Sequence, residues 1–321
     1  MAPRRVLATL LAVLLGAGVL LVPASARAQA VCFGQEITIS GRDYIKGTEG
    51  RDVILGSAGD DEIHALSGDD YVCGGGGDDK ISGGGGNDHL DGGPGTDLIV
   101  GDGMTLGGGD ASGRGGNDEL VSGDGPSDSL IGDHFSDLGN ASGHGGNDIL
   151  TVAGTGGLVA GGNVALGSAE TKGFASGDGG NDQITIARLA NIIAGDNIGR
   201  KGVSGDDGDD RIKDGSGDTP RIVGDNFSGL GPASGKEGDD FIDAGGGNDG
   251  RAHGIAGDNL SEHGQASGGG RDTIEGGTGD DWIVAGVEDD ILNGGPGYDR
   301  CDAGPGKDDI RDCEQIEDIP A

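Results

Sequence analysis

The segment Gly74-Gly75-Gly76-Gly77-Asp78-Asp79-Lys80-Ile81-Ser82 decides the fold, because the next nine residues, Gly83-Gly84-Gly85-Gly86-Asn87-Asp88-His89-Leu90-Asp91, repeat its pattern. Each copy has four glycines, an aspartate in the sixth position and an aliphatic residue in the eighth. Glycine readily adopts the backbone conformations that point several carbonyl groups at one place, so the four glycines predict a tight turn. The last three residues predict a short strand whose middle side chain faces a core.

The same nine-residue spacing recurs in two separate parts of the chain. In the first part the aspartates are Asp52, Asp61, Asp70, Asp79, Asp88 and Asp97, and the matching aliphatic residues are Ile54, Ile63, Val72, Ile81, Leu90 and Ile99. In the second part the aspartates are Asp272, Asp281, Asp290, Asp299 and Asp308. Because the aspartates and the aliphatic residues recur with the same nine-residue spacing, the pattern predicts a solenoid of stacked coils.

These nonapeptides resemble the repeats of the RTX, or hemolysin-type calcium-binding, family, whose pattern is G-G-x-G-x-D-x-U-x. The resemblance implies an all-β fold, a right-handed parallel β-roll or β-helix built from glycine-rich repeats. It also implies that several calcium ions bind between neighbouring turns, because calcium accepts carboxylate and carbonyl oxygens together. The eleven aspartates of the two runs are the implied calcium ligands.

The middle of the chain has a longer sequence repeat. Gly-Gly-Asn-Asp or a close relative returns with its aspartate at Asp118, Asp148, Asp182, Asp210, Asp240 and Asp272, and we predict that these aspartates are calcium ligands as well. A second motif, Gly-Asp usually followed by Asn, occurs in the same part of the chain. Its aspartates are Asp102, Asp133, Asp196, Asp225 and Asp258, and Gly162-Asn163 replaces the motif once. The middle therefore predicts six longer units of the same solenoid.

The aliphatic residues of these units are separated by alternating steps of about 20 and about 10 residues, which predicts coils of two strands with one long and one short turn. Asp52, Asp70, Asp88, the long turns, Asp290 and Asp308 would then lie on one side of the solenoid, and Asp61, Asp79, Asp97, Asp281 and Asp299 on the other. The short turns 151–157 and 185–191 contain no acid. Calcium is therefore expected on both sides at the ends and mainly on one side in the middle. Three nine-residue turns per unit, with small insertions, are the alternative.

The N-terminal residues have the features of a secretory signal peptide. A short basic region from Met1 to Arg5 precedes an apolar, charge-free run from Val6 to Val22, and residues 26–30 offer a small-x-small cleavage site. A membrane anchor is the competing interpretation, although the run is short for a membrane span. The predicted organisation is 1–30 signal peptide, 31–46 N-terminal cap, 47–101 nonapeptide repeats, 102–272 longer units, 273–310 nonapeptide repeats and 311–321 C-terminal cap.

The chain has four cysteines, all of them after the predicted signal peptide. In an exported protein an even number favours disulfides, and four cysteines allow three connectivities. We predict the pairs Cys32–Cys73 and Cys301–Cys313. These pairs would tie down the first and last coils, where a solenoid lacks a neighbouring repeat.

The formal net charge of −35 argues against nucleic acid or an anionic membrane as a partner. No nucleotide-binding loop, EF-hand or catalytic triad is convincing, and no segment of ordinary composition is long enough for a separate catalytic domain. We expect a non-enzymatic, secreted calcium-binding protein that folds on binding extracellular calcium, with a structural or surface-interaction role and a possible cell-surface or matrix partner. An enzyme acting on an extracellular polymer and a glycan-binding or ice-binding adhesin are the alternatives.

Overall fold

The computed structural model describes residues 31–167, 173–188, 190–206, 208–215, 219–236, 238–249, 254–261 and 266–317. The predicted signal peptide lies outside the described residues, as do residues 318–321 of the predicted C-terminal cap. All regular secondary structure within the described ranges is β-strand. In those ranges there is no helix with the length and apolar character that a membrane span requires.

Two parallel sheets of twelve strands each form the solenoid. The strands of sheet 1 are Ile39–Ser40, Val53–Leu55, Tyr71–Cys73, His89–Asp91, Glu119–Val121, Ile149–Val152, Gln183–Ile186, Arg211–Asp214, Phe241–Asp243, Thr273–Glu275, Ile291–Asn293 and Asp309–Arg311. The strands of sheet 2 are Tyr44–Lys46, Glu62–Ser67, Lys80–Gly85, Leu98–Val100, Pro126–Ile131, Thr155–Ala160, Ile192–Ala194, Ile222–Val223, Ile255–Ala256, Trp282–Val284, Arg300–Asp302 and Gln315–Glu317. The chain alternates between the two sheets, so the predicted parallel β-solenoid is confirmed.

The core between these sheets consists of the aliphatic residues that the nine-residue pattern identifies. In sheet 2, Ile81 lies in register between Ile63 and Ile99, and in sheet 1, Leu90 lies between Val72 and Leu120. All of them are fully buried. Each contributes about 1.5–3 kcal/mol of hydrophobic stabilisation, and one such side chain per strand makes a narrow core.

The middle coils have four strands instead of the predicted two. The long turns contain two further parallel sheets of six strands each. Sheet 3 consists of Met104–Thr105, Phe135–Ser136, Val164–Ala165, Ile198–Gly199, Phe227–Ser228 and Leu260–Ser261. Sheet 4 consists of Ala111–Arg114, Ala141–His144, Phe174–Ser176, Gly202–Asp206, Ala233–Lys236 and Ala266–Ser267. The predicted alternation of long and short turns is correct, but the two-strand coil holds only at the ends.

Two additional clusters of buried side chains explain why the long turns are ordered. One cluster combines residues that directly follow the sheet 2 aliphatics with residues of sheet 3, and its members include Val100, Ile131, Phe135, Val164 and Phe227. The other is built almost entirely of alanine: Ala141, Ala165, Ala175, Val203 and Ala233. Because alanine side chains are small, the backbone segments of this second cluster can approach closely.

Both predicted disulfides are present. Cys32 and Cys73 are joined with a Cα–Cα distance of 5.8 Å, and Cys301 and Cys313 with 6.1 Å. The first bond connects an antiparallel pair of short strands, Val31–Cys32 and Gln35–Glu36, to the third strand of sheet 1. The second closes a loop between the last coils, so each end of the solenoid carries one covalent link.

Candidate metal centres

One row of aspartates, the first ladder, runs along the turns that lead from sheet 2 to sheet 1. In ten successive steps, the backbone N–H of one aspartate donates to Oδ1 of the aspartate in the following coil, with N···O distances of 2.6–3.1 Å. The row consists of Asp52, Asp70, Asp88, Asp118, Asp148, Asp182, Asp210, Asp240, Asp272, Asp290 and Asp308. The aspartates predicted for one side of the solenoid therefore form a single continuous row.

A second ladder lies on the opposite side, where the chain passes from sheet 1 to sheet 2, and has two separate parts. Asp61, Asp79, Asp97 and Asp128 form its first part by the same N–H to Oδ1 hydrogen bonds. Asp249, Asp281 and Asp299 form its second part. The two parts contain all the aspartates predicted for this side, together with Asp128 and Asp249.

Asp128 and Asp249 belong to this ladder although they are not among the ligands predicted from the sequence. Asp249 lies nine residues after Asp240 and follows Gly245-Gly246-Gly247-Asn248, but Arg251 occupies the expected aliphatic position and obscured the repeat. Asp128 lies ten residues after Asp118, so one extra residue breaks the spacing. The second ladder consequently extends one coil further into the middle from each end. The two acid-free short turns identified in the sequence keep the predicted one-sided arrangement.

The second carboxylate oxygen of most ladder aspartates is buried and has no hydrogen-bond partner within the described part of the chain. This holds for Oδ2 of Asp70, Asp79, Asp88, Asp97, Asp118, Asp128, Asp148, Asp182, Asp210, Asp272, Asp281, Asp290 and Asp299. Each of these residues is at most 3% exposed. A buried carboxylate oxygen without a partner is costly, and a cation would satisfy it. The donor set therefore fits a metal ion that prefers oxygen ligands.

The glycines of the turns allow oxygens of neighbouring coils to converge on these carboxylates. A Cβ added to Gly83 would lie 2.3 Å from Asp88 Oδ2 and 2.4 Å from the carbonyl oxygen of Gly101. Gly84 has a φ of +107°, and a Cβ there would lie 1.8 Å from the carbonyl oxygen of Leu66. Backbone and carboxylate oxygens thus occupy the space that a side chain would need, as expected for calcium, which takes six to eight oxygens.

Burial raises the pKa of most ladder carboxylates, and the backbone N–H that each of these accepts opposes this only in part. The pKa of Asp79 rises to about 6 and that of Asp88 to about 7. At Asp272 burial raises the pKa to about 8. Burial and then the neighbouring carboxylate of Asp182 raise the pKa of Asp210 well above its ordinary range. A bound cation would favour the ionised form again.

All sixteen aspartates predicted as calcium ligands belong to one of the two ladders. Fifteen of them are buried, and Asp308, in the last coil, is half-buried. Their position in turns of stacked coils is what the prediction requires, whereas their role as ligands stays a prediction. A further set of buried aspartates faces the first ladder and was not among the predicted ligands: Asp102, Asp133, Asp196, Asp225 and Asp258.

Four segments match the family model of the RTX calcium-binding nonapeptide repeat: residues 37–72, 74–103, 233–250 and 267–301. All of them lie outside residues 104–232, so they cover mainly the end coils and the coils next to them. Comparisons with curated proteins and with solved structures give no match.

Proposed function

We infer that calcium ions occupy the two aspartate ladders and drive the folding of a secreted protein. The RTX calcium-binding nonapeptide repeats in both end regions of the solenoid support this proposal. The observation that carries this proposal is the row of buried carboxylate oxygens without hydrogen-bond partners in the described ranges. Stacked carboxylates about 4.8 Å apart repel one another by nearly 1 kcal/mol per pair even in water. Ions between the coils would replace this repulsion with attraction.

The calcium concentration outside cells is high enough to make such binding decisive. A site with a dissociation constant of about 100 μM, in about 1 mM calcium, stabilises the folded state by about 1.4 kcal/mol. The same site contributes almost nothing at micromolar calcium. Because the ladders offer many sites, the sum is large enough to switch folding on when the protein reaches a calcium-rich medium.

Two further features support secretion and a structural or surface-interaction role. The two disulfides fit an oxidising compartment, and the apolar N-terminal run fits a signal peptide. The described residues from 39 to 317 belong to the repeating coils. The proposal is therefore a calcium-dependent scaffold with a non-enzymatic role.

A calcium titration of the mature protein, first freed of metal with a chelator, tests the proposal. Far-ultraviolet circular dichroism should change from coil to β as calcium rises from micromolar to millimolar concentrations. Magnesium should be much weaker, because it prefers a smaller, octahedral and partly hydrated site. Complete β structure in chelator would rule out calcium-driven folding.

A matched pair of variants assigns the effect to the ladder. Asp79→Asn removes a buried ladder charge, while Asp78→Asn removes the same charge from the exposed neighbouring position. Asparagine keeps an Oδ1 that can accept the N–H of Asp61, so the hydrogen-bonded row is preserved. Asp79→Asn should raise the calcium midpoint and Asp78→Asn should leave it nearly unchanged. Equal effects of the two variants would show that calcium only screens the overall charge.

A further inference from the structure

A second set of carboxylates, the inner row, lies in the middle coils opposite the first ladder. Its members are Asp102, Asp133, Asp196, Asp225 and Asp258, and each is at most 7% exposed. Each follows a strand of sheet 2 in a Gly-Asp pair, outside the nonapeptide pattern. All five carboxylates accept a backbone N–H from a glycine at the far end of their own long turn, at 2.8–3.4 Å. The inner row therefore closes the base of the long turns.

Asp196 shows how the inner row meets the first ladder. Single carboxylate oxygens of Asp196, Asp182 and Asp210 all lie within 4.8 Å of one another. Asp182 and Asp210 are 2% and 3% exposed, and Oδ2 of each has no hydrogen-bond partner in the described residues. The site thus combines three buried carboxylates, and two of them carry an oxygen without a hydrogen-bond partner in the described residues.

The surrounding glycines leave these oxygens accessible to one ion. A Cβ on Gly195 would lie 1.9 Å from Asp210 Oδ2, and a Cβ on Gly179 would lie 1.5 Å from Asp196 Oδ1. Any larger residue would displace the carboxylates. Three ionised carboxylates at this separation are strongly unfavourable without a cation.

We propose that Asp196, Asp182 and Asp210 together hold one calcium ion. The donors are oxygens only, which favours calcium over zinc or copper. This inference rests on the proposed function for the first ladder and adds a third anionic ligand in the middle coils. This site should bind calcium more tightly than the end coils, because ligand charge tunes calcium affinity.

A row of side-chain amides runs beside the inner row. Asn163 Nδ2 donates to Asn197 Oδ1 at 3.0 Å, and Asn197 Nδ2 donates to Asn226 Oδ1 at 2.9 Å. These asparagines directly follow the inner-row position in their coils. In one unit Gly162 replaces the inner aspartate, so the protein contains a natural site that lacks the third carboxylate.

Equilibrium dialysis with radioactive calcium, from micromolar to millimolar, separates tight from weak sites in the full mature chain. The wild-type protein should show a tight class that includes the ion held by Asp196, Asp182 and Asp210. Asp196→Asn should weaken one tight site by at least about tenfold, whereas Asp209→Asn, at the exposed position beside the first ladder, should leave the tight class intact. A tight class unchanged by Asp196→Asn overturns the inference.

Asp79→Asn separates this inference from the proposed function, because it should weaken only end-coil sites. If Asp79→Asn weakens a site and Asp196→Asn does not, the inner row is not a ligand set and the ladder proposal stands. If neither variant changes binding, both fail. If circular dichroism shows that Asp196→Asn does not fold in calcium, Gly162→Asp provides a gain-of-ligand test. It should move one ion from the weak to the tight class, and absence of that gain in a folded variant overturns the inference.

Discussion

Calcium binding should weaken steeply when the pH falls from 8 to 5, a range in which ordinary carboxylates stay ionised. Burial raises the pKa of Asp70 to about 6 and the pKa of Asp88 to about 7. These two residues are neighbours in the first ladder, joined by the N–H of Asp70 and Oδ1 of Asp88 at 2.8 Å. Below its pKa, each carboxylate holds a proton on an oxygen that the cation needs.

The two pKa values set the size of the effect. Each pH unit below the pKa of a ligand lowers the apparent calcium affinity about tenfold, since the proton must first leave. At pH 5, Asp88 accounts for about a 100-fold loss and Asp70 for about a tenfold loss, or about 1,000-fold for a site that both share. The midpoint of calcium-induced folding should therefore move strongly upward between pH 7 and pH 5.

The metal-free protein should respond to pH in the opposite direction. A carboxyl group whose pKa is higher in the folded state than its unfolded value of about 4 stabilises the fold fully below pH 4. This stabilisation is lost as the pH rises through the folded values, which are about 6 for Asp79, about 7 for Asp97 and about 8 for Asp272. In chelator, β structure should consequently be greatest near pH 4 and decline toward pH 8.

Far-ultraviolet calcium titrations at pH 5, 6, 7 and 8, each paired with a sample in chelator, measure both trends. Calorimetry in buffers of different ionisation enthalpy should also show protons released on calcium binding near pH 6. Equal calcium midpoints at pH 5 and pH 8 would refute the reasoning, because ligands with an ordinary carboxyl pKa would behave in that way.

Three further outcomes are expected. Asp182→Asn and Asp210→Asn should have non-additive effects on calcium affinity in calorimetric titrations, because the two residues are joined in one hydrogen-bonded row, and additivity would contradict a shared site. Replacing Cys301 and Cys313 with serine should raise amide hydrogen exchange in the C-terminal coils while the middle stays protected, and uniform exchange would refute local capping. Leu150→Ala should lower the unfolding free energy in calcium by about 2–5 kcal/mol in guanidinium titrations, and a loss below about 1 kcal/mol would argue against its place in the core.

Much of the solenoid could be predicted from the sequence, because its repeat unit is local. A nine-residue turn and strand places Asp88 and Leu90 in fixed positions, so periodicity alone identifies the ladder and the core. The disulfide partners followed from the positions of the cysteines near the two ends of the repeats. In each case the residues that make the contact also carry the pattern.

The additional sheets could not be predicted in the same way. A two-residue strand such as Met104–Thr105 is too short to show any alternation of polar and apolar residues. Alanines such as Ala141 and Ala175 form a core only because the neighbouring coils stack in register, and surrounding glycines hide them in the sequence. The Gly-Asp motif of the inner row is visible in the sequence. Its hydrogen-bond partners, however, lie at the far end of the long turn, and one sequence does not show that contact.

The direction of the ladder hydrogen bonds makes the two ends of the solenoid unlike each other. Every ladder N–H points toward the following coil, so an open last coil would present donors and an open first coil would present acceptors. Copies of such a molecule could add head to tail without limit, as exposed sheet edges do in fibres. Glu314 blocks this growth on the second ladder, because its Oε2 accepts the N–H of Asp299 at 2.7 Å. One glutamate thus takes the place of the next coil at the end of the second ladder.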